Sequence, residues 1–103
     1  MNKHYLRSLP REWRGMVRVF VALGDEHRQR ILLTFDKGER LTVGQIAAVS
    51  TLSRPAVSHH LKILRQAGLL EAEKIGKEVY LRINKPLLHG TLSDVLDYVR
   101  NHA

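Results

Sequence analysis

Two adjacent histidines, His59 and His60, sit inside the run SRPAVSHHLKILRQAGLL, residues 53–70. An imidazole can ligate a metal, move a proton or simply hold a hydrogen bond. A joint metal or catalytic role requires the two rings to face one way. Further donors stand at His4, His89, Asp94, Asp97 and His102. There is no cysteine, so disulfides, thiolate zinc sites and thiol redox sensing are excluded. No Gly-rich phosphate loop, Ser/His/Asp set or Cys/His set is legible, and no carboxylate pair lies in an apolar setting. Enzymatic chemistry is therefore not expected.

The elements that position these residues follow from hydrophobic period. Residues 1–8 are polar and basic and read as a loose arm, with one domain over 9–103. From Pro10, the residues Trp13, Met16, Val17, Phe20 and Leu23 recur at three and four, a helix that Gly24 stops. Asp25 caps a second helix whose apolar side is Ile31, Leu32 and Phe35. DKGER (36–40) is a turn. Thr42 and Gln45 have capping-box spacing for a short third helix over 42–49. A fourth runs from Arg54 to Ala67, with Ser53 as cap, Pro55 in its first turn and Gly68 after its end.

The period then changes to two. LLEAEKI and EVYLRI read as a hairpin around Gly76-Lys77. That register pairs Leu70 with Ile83, Ala72 with Leu81 and Lys74 with Val79 on one face. The other pairs Glu71 with Arg82 and Glu73 with Tyr80. Pro86 opens a last helix carrying Leu87, Leu88, Leu92, Val95, Leu96 and Val99, with Gly90 expected to delay or bend its first turn. The expected fold is a winged helix-turn-helix: five helices and a two-stranded wing.

On the fourth helix the two histidines part company. At roughly 100° per residue, Arg54, Ser58, Lys62 and Arg65 fall within a stripe of about 80°. Val57, His60, Leu61 and Leu64 lie on another side. Neighbours on a helix cannot jointly chelate one ion from its surface. His60 is expected to be structural, bonded to a local backbone group. His59 flanks the polar stripe and can reach a phosphate or base edge. No Asp or Glu occurs between Glu39 and Glu71, whereas a solvated face ordinarily mixes signs. A one-sign face on the second helix of a helix-turn-helix suits the DNA major groove. The expected DNA-contacting residues are Ser53, Arg54, Ser58, His59, Lys62 and Arg65, with Lys74 and Lys77 of the wing reaching adjacent backbone or minor groove.

Composition agrees. The chain has 103 residues, a formal net charge of +7 and a pI near 10.3, which points to a polyanion partner. No apolar run approaches a membrane span and the start lacks a secretory h-region, so a cytoplasmic protein without a membrane role is expected.

Three segments, ALGDEHRQRILLTF (22–35), LTVGQIAAVSTLSRPAVSHHLKILRQAGLL (41–70) and EKIGKEVYLRI (73–83), together resemble the arsenic-repressor (ArsR) type of bacterial winged-helix transcription regulators. The resemblance spans roughly residues 15–100, and SHHLKILRQAGLL is its most specific part. It implies a homodimeric repressor in the bacterial cytoplasm, associated with the nucleoid when on DNA. It implies a dimer interface through the first and last helices, here Trp13, Met16, Val17 and Phe20 with Leu92, Val95, Leu96 and Val99. A twofold dimer would read a palindromic operator.

The resemblance does not extend to the inducer. The family's cysteine pair at the start of the third helix is absent from GERLTVGQIA. Its Asp-x-His with His-x-x-His or His-x-x-Glu on the last helix is absent from LLHGTLSDVLDYVRNHA. No metal site and no cofactor are expected, and the inducer is unknown. Two alternatives stay open. One is a metal-responsive repressor using an irregular set from His4, His89, Asp94, Asp97 and His102. The other is a winged helix that docks on protein, against which the cationic stripe stands.

Overall fold

The computed structural model describes residues 1–103. Five helices and three short strands follow one another: α1 (Arg11–Leu23), α2 (Glu26–Leu32), β1 (Leu41–Thr42), α3 (Val43–Val49), α4 (Arg54–Gln66), β2 (Leu70–Ile75), β3 (Glu78–Ile83) and α5 (Lys85–His102).

Most helix ends carry a local reason. The Asp25 carboxylate accepts the Arg28 N–H at 3.1 Å and starts α2. Thr42 and Gln45 close a reciprocal capping box at α3,. Ser53 Oγ accepts the Ala56 N–H at 3.3 Å at α4. The end of α4 is a Schellman motif. Leu69 N–H donates to the Leu64 carbonyl at 3.0 Å and Gly68 N–H to that of Arg65 at 2.9 Å. Gly68 adopts φ +81°, a conformation that costs other residues a Cβ clash. A Cβ there would also stand 2.8 Å from Leu87 Cδ1.

The β2–β3 register is the expected one at each of the five expected pairs. Only the first loop residue, Gly76, has positive φ, the pattern of a II′ hairpin turn. The two-stranded wing belongs to a three-stranded sheet, however. Leu41 and Thr42 pair with Leu81 and Tyr80, giving the order β1-β3-β2. Two residues are too few to show a period of two, so sequence patterning could not reveal this strand. Three further boundaries differ. α4 ends at Gln66, with Ala67 as its cap. Phe35 lies beyond α2, half-buried against the core. α5 runs unbroken through Gly90 from an Asn84 cap, because the cap sets the start and one glycine costs a helix only ~1 kcal/mol.

The core lies where α1, α2, α3 and α4 meet the inner face of the sheet. Val19, Ala22, Ile31, Ile46, Val57, Leu61, Leu64, Leu69, Leu70 and Leu81 form one buried cluster. This packing fixes α4 from behind and leaves its opposite side open.

Candidate nucleic-acid interface

α3, the turn after it and α4 form the helix-turn-helix. Ser50 Oγ accepts the Leu52 N–H at 3.0 Å and shapes the turn. Ser53 and Pro55 then start α4 with its axis set. Val57, Leu61 and Leu64 are buried beneath it. Ser53, Arg54, Ser58, His59, Lys62 and Arg65 are all exposed. The ion pairs of the structure are Asp25–Arg28, Arg40–Glu73 and Arg82–Glu71, so the cations of α4 carry no internal counter-charge. Such a surface can offer guanidinium forks and an ammonium to phosphates or guanine edges.

His60 does something other than expected. Its Nδ1 lies 3.2 Å from Nη1 of Arg28. A guanidinium only donates, so Nδ1 must be the acceptor and the ring neutral. The bond is to a side chain, not to local backbone as expected. Arg28 itself is buried, 9% exposed. Its Nε donates to the Ala22 carbonyl at 2.8 Å and its Nη2 to that of Val21 at 3.2 Å. One buried cation thus joins the C-terminal end of α1, the start of α2 and the middle of α4. Burial pushes the His60 pKa below its ordinary 6.5; Asp25 opposes this and the nearby Arg28 charge adds to it. His59 stands 5.6 Å from His60, ring centre to ring centre, but is exposed on the outer side. The two rings do not share a task. Arg28 escaped sequence reading because a charged residue in EHRQR reads as surface.

The wing adjoins α4, where Leu70 and Ala72 of β2 share a hollow with Lys62 and Arg65. Lys74 and Lys77 are exposed at its far end. Glu71 and Arg82 form the expected cross-strand pair at 3.0 Å. Glu73, an acid that tempers the wing's charge, is held by Arg40 at 3.3 Å. That ion pair depends on β1, and so was not legible in the hairpin alone.

A family model for bacterial regulatory proteins of the arsR family matches residues 25–72. The chain is 34% identical over 84 residues to the transcriptional repressor SdpR of Bacillus subtilis, across 82% of this chain and 92% of SdpR. The chain belongs to the arsR family. This family member is a DNA-binding winged helix-turn-helix regulator of transcription and not an enzyme. It is also 32% identical to a transcriptional repressor SmtB homolog of Synechocystis, across 82% of this chain but 64% of that protein. Among solved structures, an ArsR-like regulator from Rhodococcus superposes with a TM-score of 0.76 at 30% identity, across 84% of this chain and 80% of that one. The homodimeric winged helix-turn-helix domain of Mb0332 from Mycobacterium bovis superposes with a TM-score of 0.68 at 25% identity, across 95% and 93%.

The arsR-family chain carries an open apolar face on α1 and α5. Val17, Phe20, Val21, Leu92, Leu96 and Val99 are each between 41% and 62% exposed. Trp13 and Val95 are half-buried, and the Trp13 ring meets Tyr98 edge-on at 5.2 Å. Met16 differs from the rest of the expected set. It is 4% exposed and packed inside its own chain, because it turns inward with Val19 on the α1 wheel. α5 has no fully buried residue along its 18 residues.

The candidate metal ligands are not gathered. No three His, Asp or Glu side chains converge on a point that could hold an ion. His102 lies against Tyr98, 5.8 Å between ring centres. No helix is long and apolar enough to cross a membrane.

Proposed function

We propose that this chain is a homodimeric transcriptional repressor that reads a palindromic operator in double-stranded DNA. The observation that carries it is the exposed, acid-free and unpaired stripe of α4. Arg54, Lys62 and Arg65 would contact guanine edges or phosphates. Ser53, Ser58 and His59 would add hydrogen bonds. Lys74 and Lys77 would reach the neighbouring backbone or minor groove. SdpR and the SmtB homolog, both described as repressors, support the direction of regulation. The homodimeric state of Mb0332 supports the dimer. Its interface would be Trp13, Val17 and Phe20 with Leu92, Val95, Leu96 and Val99, and Met16 would brace it from beneath. Residues 9–103 would act as one DNA-binding and dimerisation unit behind the arm 1–8, in the cytoplasm and on the nucleoid. No cofactor and no inducer enter this reading.

The test is anisotropy on a labelled duplex from the protein's own upstream region. Palindrome-dependent, salt-sensitive binding is expected. Arg54→Ala or Lys62→Ala should weaken it by about 1–3 kcal/mol for a base contact, with melting unchanged. Equal affinity in both variants would remove α4 from the interface. No specific binding even at low salt would favour a winged helix that docks on protein.

A further inference from the structure

The surface of α1 divides into three lengthwise strips. One is buried, with Met16, Val19 and Ala22. One is the exposed apolar strip of Val17, Phe20 and Val21. The third holds Arg11, Arg14 and Arg18, which fall within about 60° of arc at helical pitch and are all exposed. No carboxylate pairs with any of them. Glu12, the one acid of α1, stands at least about 100° away. Arg14 Nε donates to the Leu9 carbonyl at 3.0 Å. That bond fixes the guanidinium and leaves its two terminal nitrogens free.

This strip joins the stripe of α4. Arg18 and Gln66 line one groove between α1 and α4. Gln66 also lines the adjoining hollow with Lys62 and Arg65. Cations therefore run from one helix to the other across a neutral glutamine, with no acid between. Like charges gathered this way repel one another unless a polyanion lies along them.

We propose that the arginine strip of α1 is a second DNA-contacting surface, which holds backbone phosphates beside the half-site read by α4. Guanidinium forks match phosphate oxygens. From Arg11 to Arg18 the helix rises about 10 Å, the length of about three nucleotide steps of one strand. Phosphate contacts carry no base information, so the strip adds affinity and not operator choice. This inference rests on the DNA-reading role proposed for α4.

The test compares the full chain with Arg18→Gln and with Arg14→Gln/Arg18→Gln on the same labelled duplex, over a salt series. The double variant is expected to bind about ten-fold or more weakly at low salt. The slope of log affinity against log salt should flatten by ~0.9 for each phosphate that the variant no longer neutralises. The preference for operator over scrambled DNA should not change, and sedimentation should still show a dimer. Unchanged affinity and slope, while Lys62→Ala weakens binding, would overturn the strip and leave α4 standing. Monomers in sedimentation would overturn it too, by placing the strip in the dimer interface. No operator binding by the unaltered chain would bring down both readings together.

Discussion

At the scale of single residues, Arg28 and His60 connect stability to protonation. Arg28 reaches two carbonyls at the end of α1 and the ring of His60 on α4. Removing Arg28 leaves the Ala22 carbonyl and the His60 ring nitrogen without their partner, and bonds to a charged group are worth about 1.5–3 kcal/mol each. Arg28→Ala should therefore destabilise the fold by about 3 kcal/mol or more in denaturant titration. Arg28→Lys should recover little, since one ammonium cannot span the three acceptors. A midpoint unmoved by Arg28→Ala would show that the network is ornamental. The pH dependence has a definite sign. Burial holds the His60 pKa below 6.5 in the folded chain. Below that value the unfolded chain binds more protons than the folded one, so stability rises with pH through this window and falls on acidification. Asp25 is held below 3.8, chiefly by accepting the Arg28 N–H, so it stays ionised throughout the window. Melting temperature followed from about pH 5 to pH 7.5 should fall on the acid side, and less so in His60→Gln. Parallel profiles would assign the dependence to other groups.

At the scale of elements, the two ends of α4 do different work. Its start is a common serine cap, and replacing such a cap costs about 1 kcal/mol. Its end depends on one glycine. Gly68→Ala places a Cβ in the left-handed region and against Leu87. A loss of about 1–2 kcal/mol from the backbone alone is expected, with a little more for moving Leu87. Thermal unfolding of Gly68→Ala at the wild-type midpoint would disprove the strain. The same element shows what was readable. The buried and cationic sides of α4 followed from a period of 3.6, because the core fixes which side turns in. The wing register followed from a period of two, because one slip would exchange its faces. β1 did not follow, since it is only two residues long and is made by pairing with β3.

At the scale of the molecule, the single chain is under-buried. Only 12 of 103 residues are buried, and the longest helix is not among the elements that bury any. The radius of gyration is 16.2 Å, against about 13 Å for a compact chain of this length. The exposed arm of residues 1–10 adds to both, and the second copy proposed above would cover the apolar face left open on α1 and α5. Phe20→Asp or Leu96→Asp would bury a charge in that interface and should give monomers with a lower Tm. The Tm of the unaltered chain should rise with protein concentration. Dimers persisting in both variants under sedimentation would move the interface elsewhere.

By itself the sequence determined the caps of α2, α3 and α4, the hairpin register and the one-sign face of α4. Each of these is local. A cap acts over three residues, a turn over two, and an amphipathic period over one element. Tertiary structure decided what depends on distant parts meeting. It brought β1 to β3, turned Met16 inward and set Arg40 on Glu73. It also buried Arg28 against His60, 32 residues further along the chain. A charged side chain reads as solvated until acceptors from two other helices surround it, and no period in the sequence records that they will.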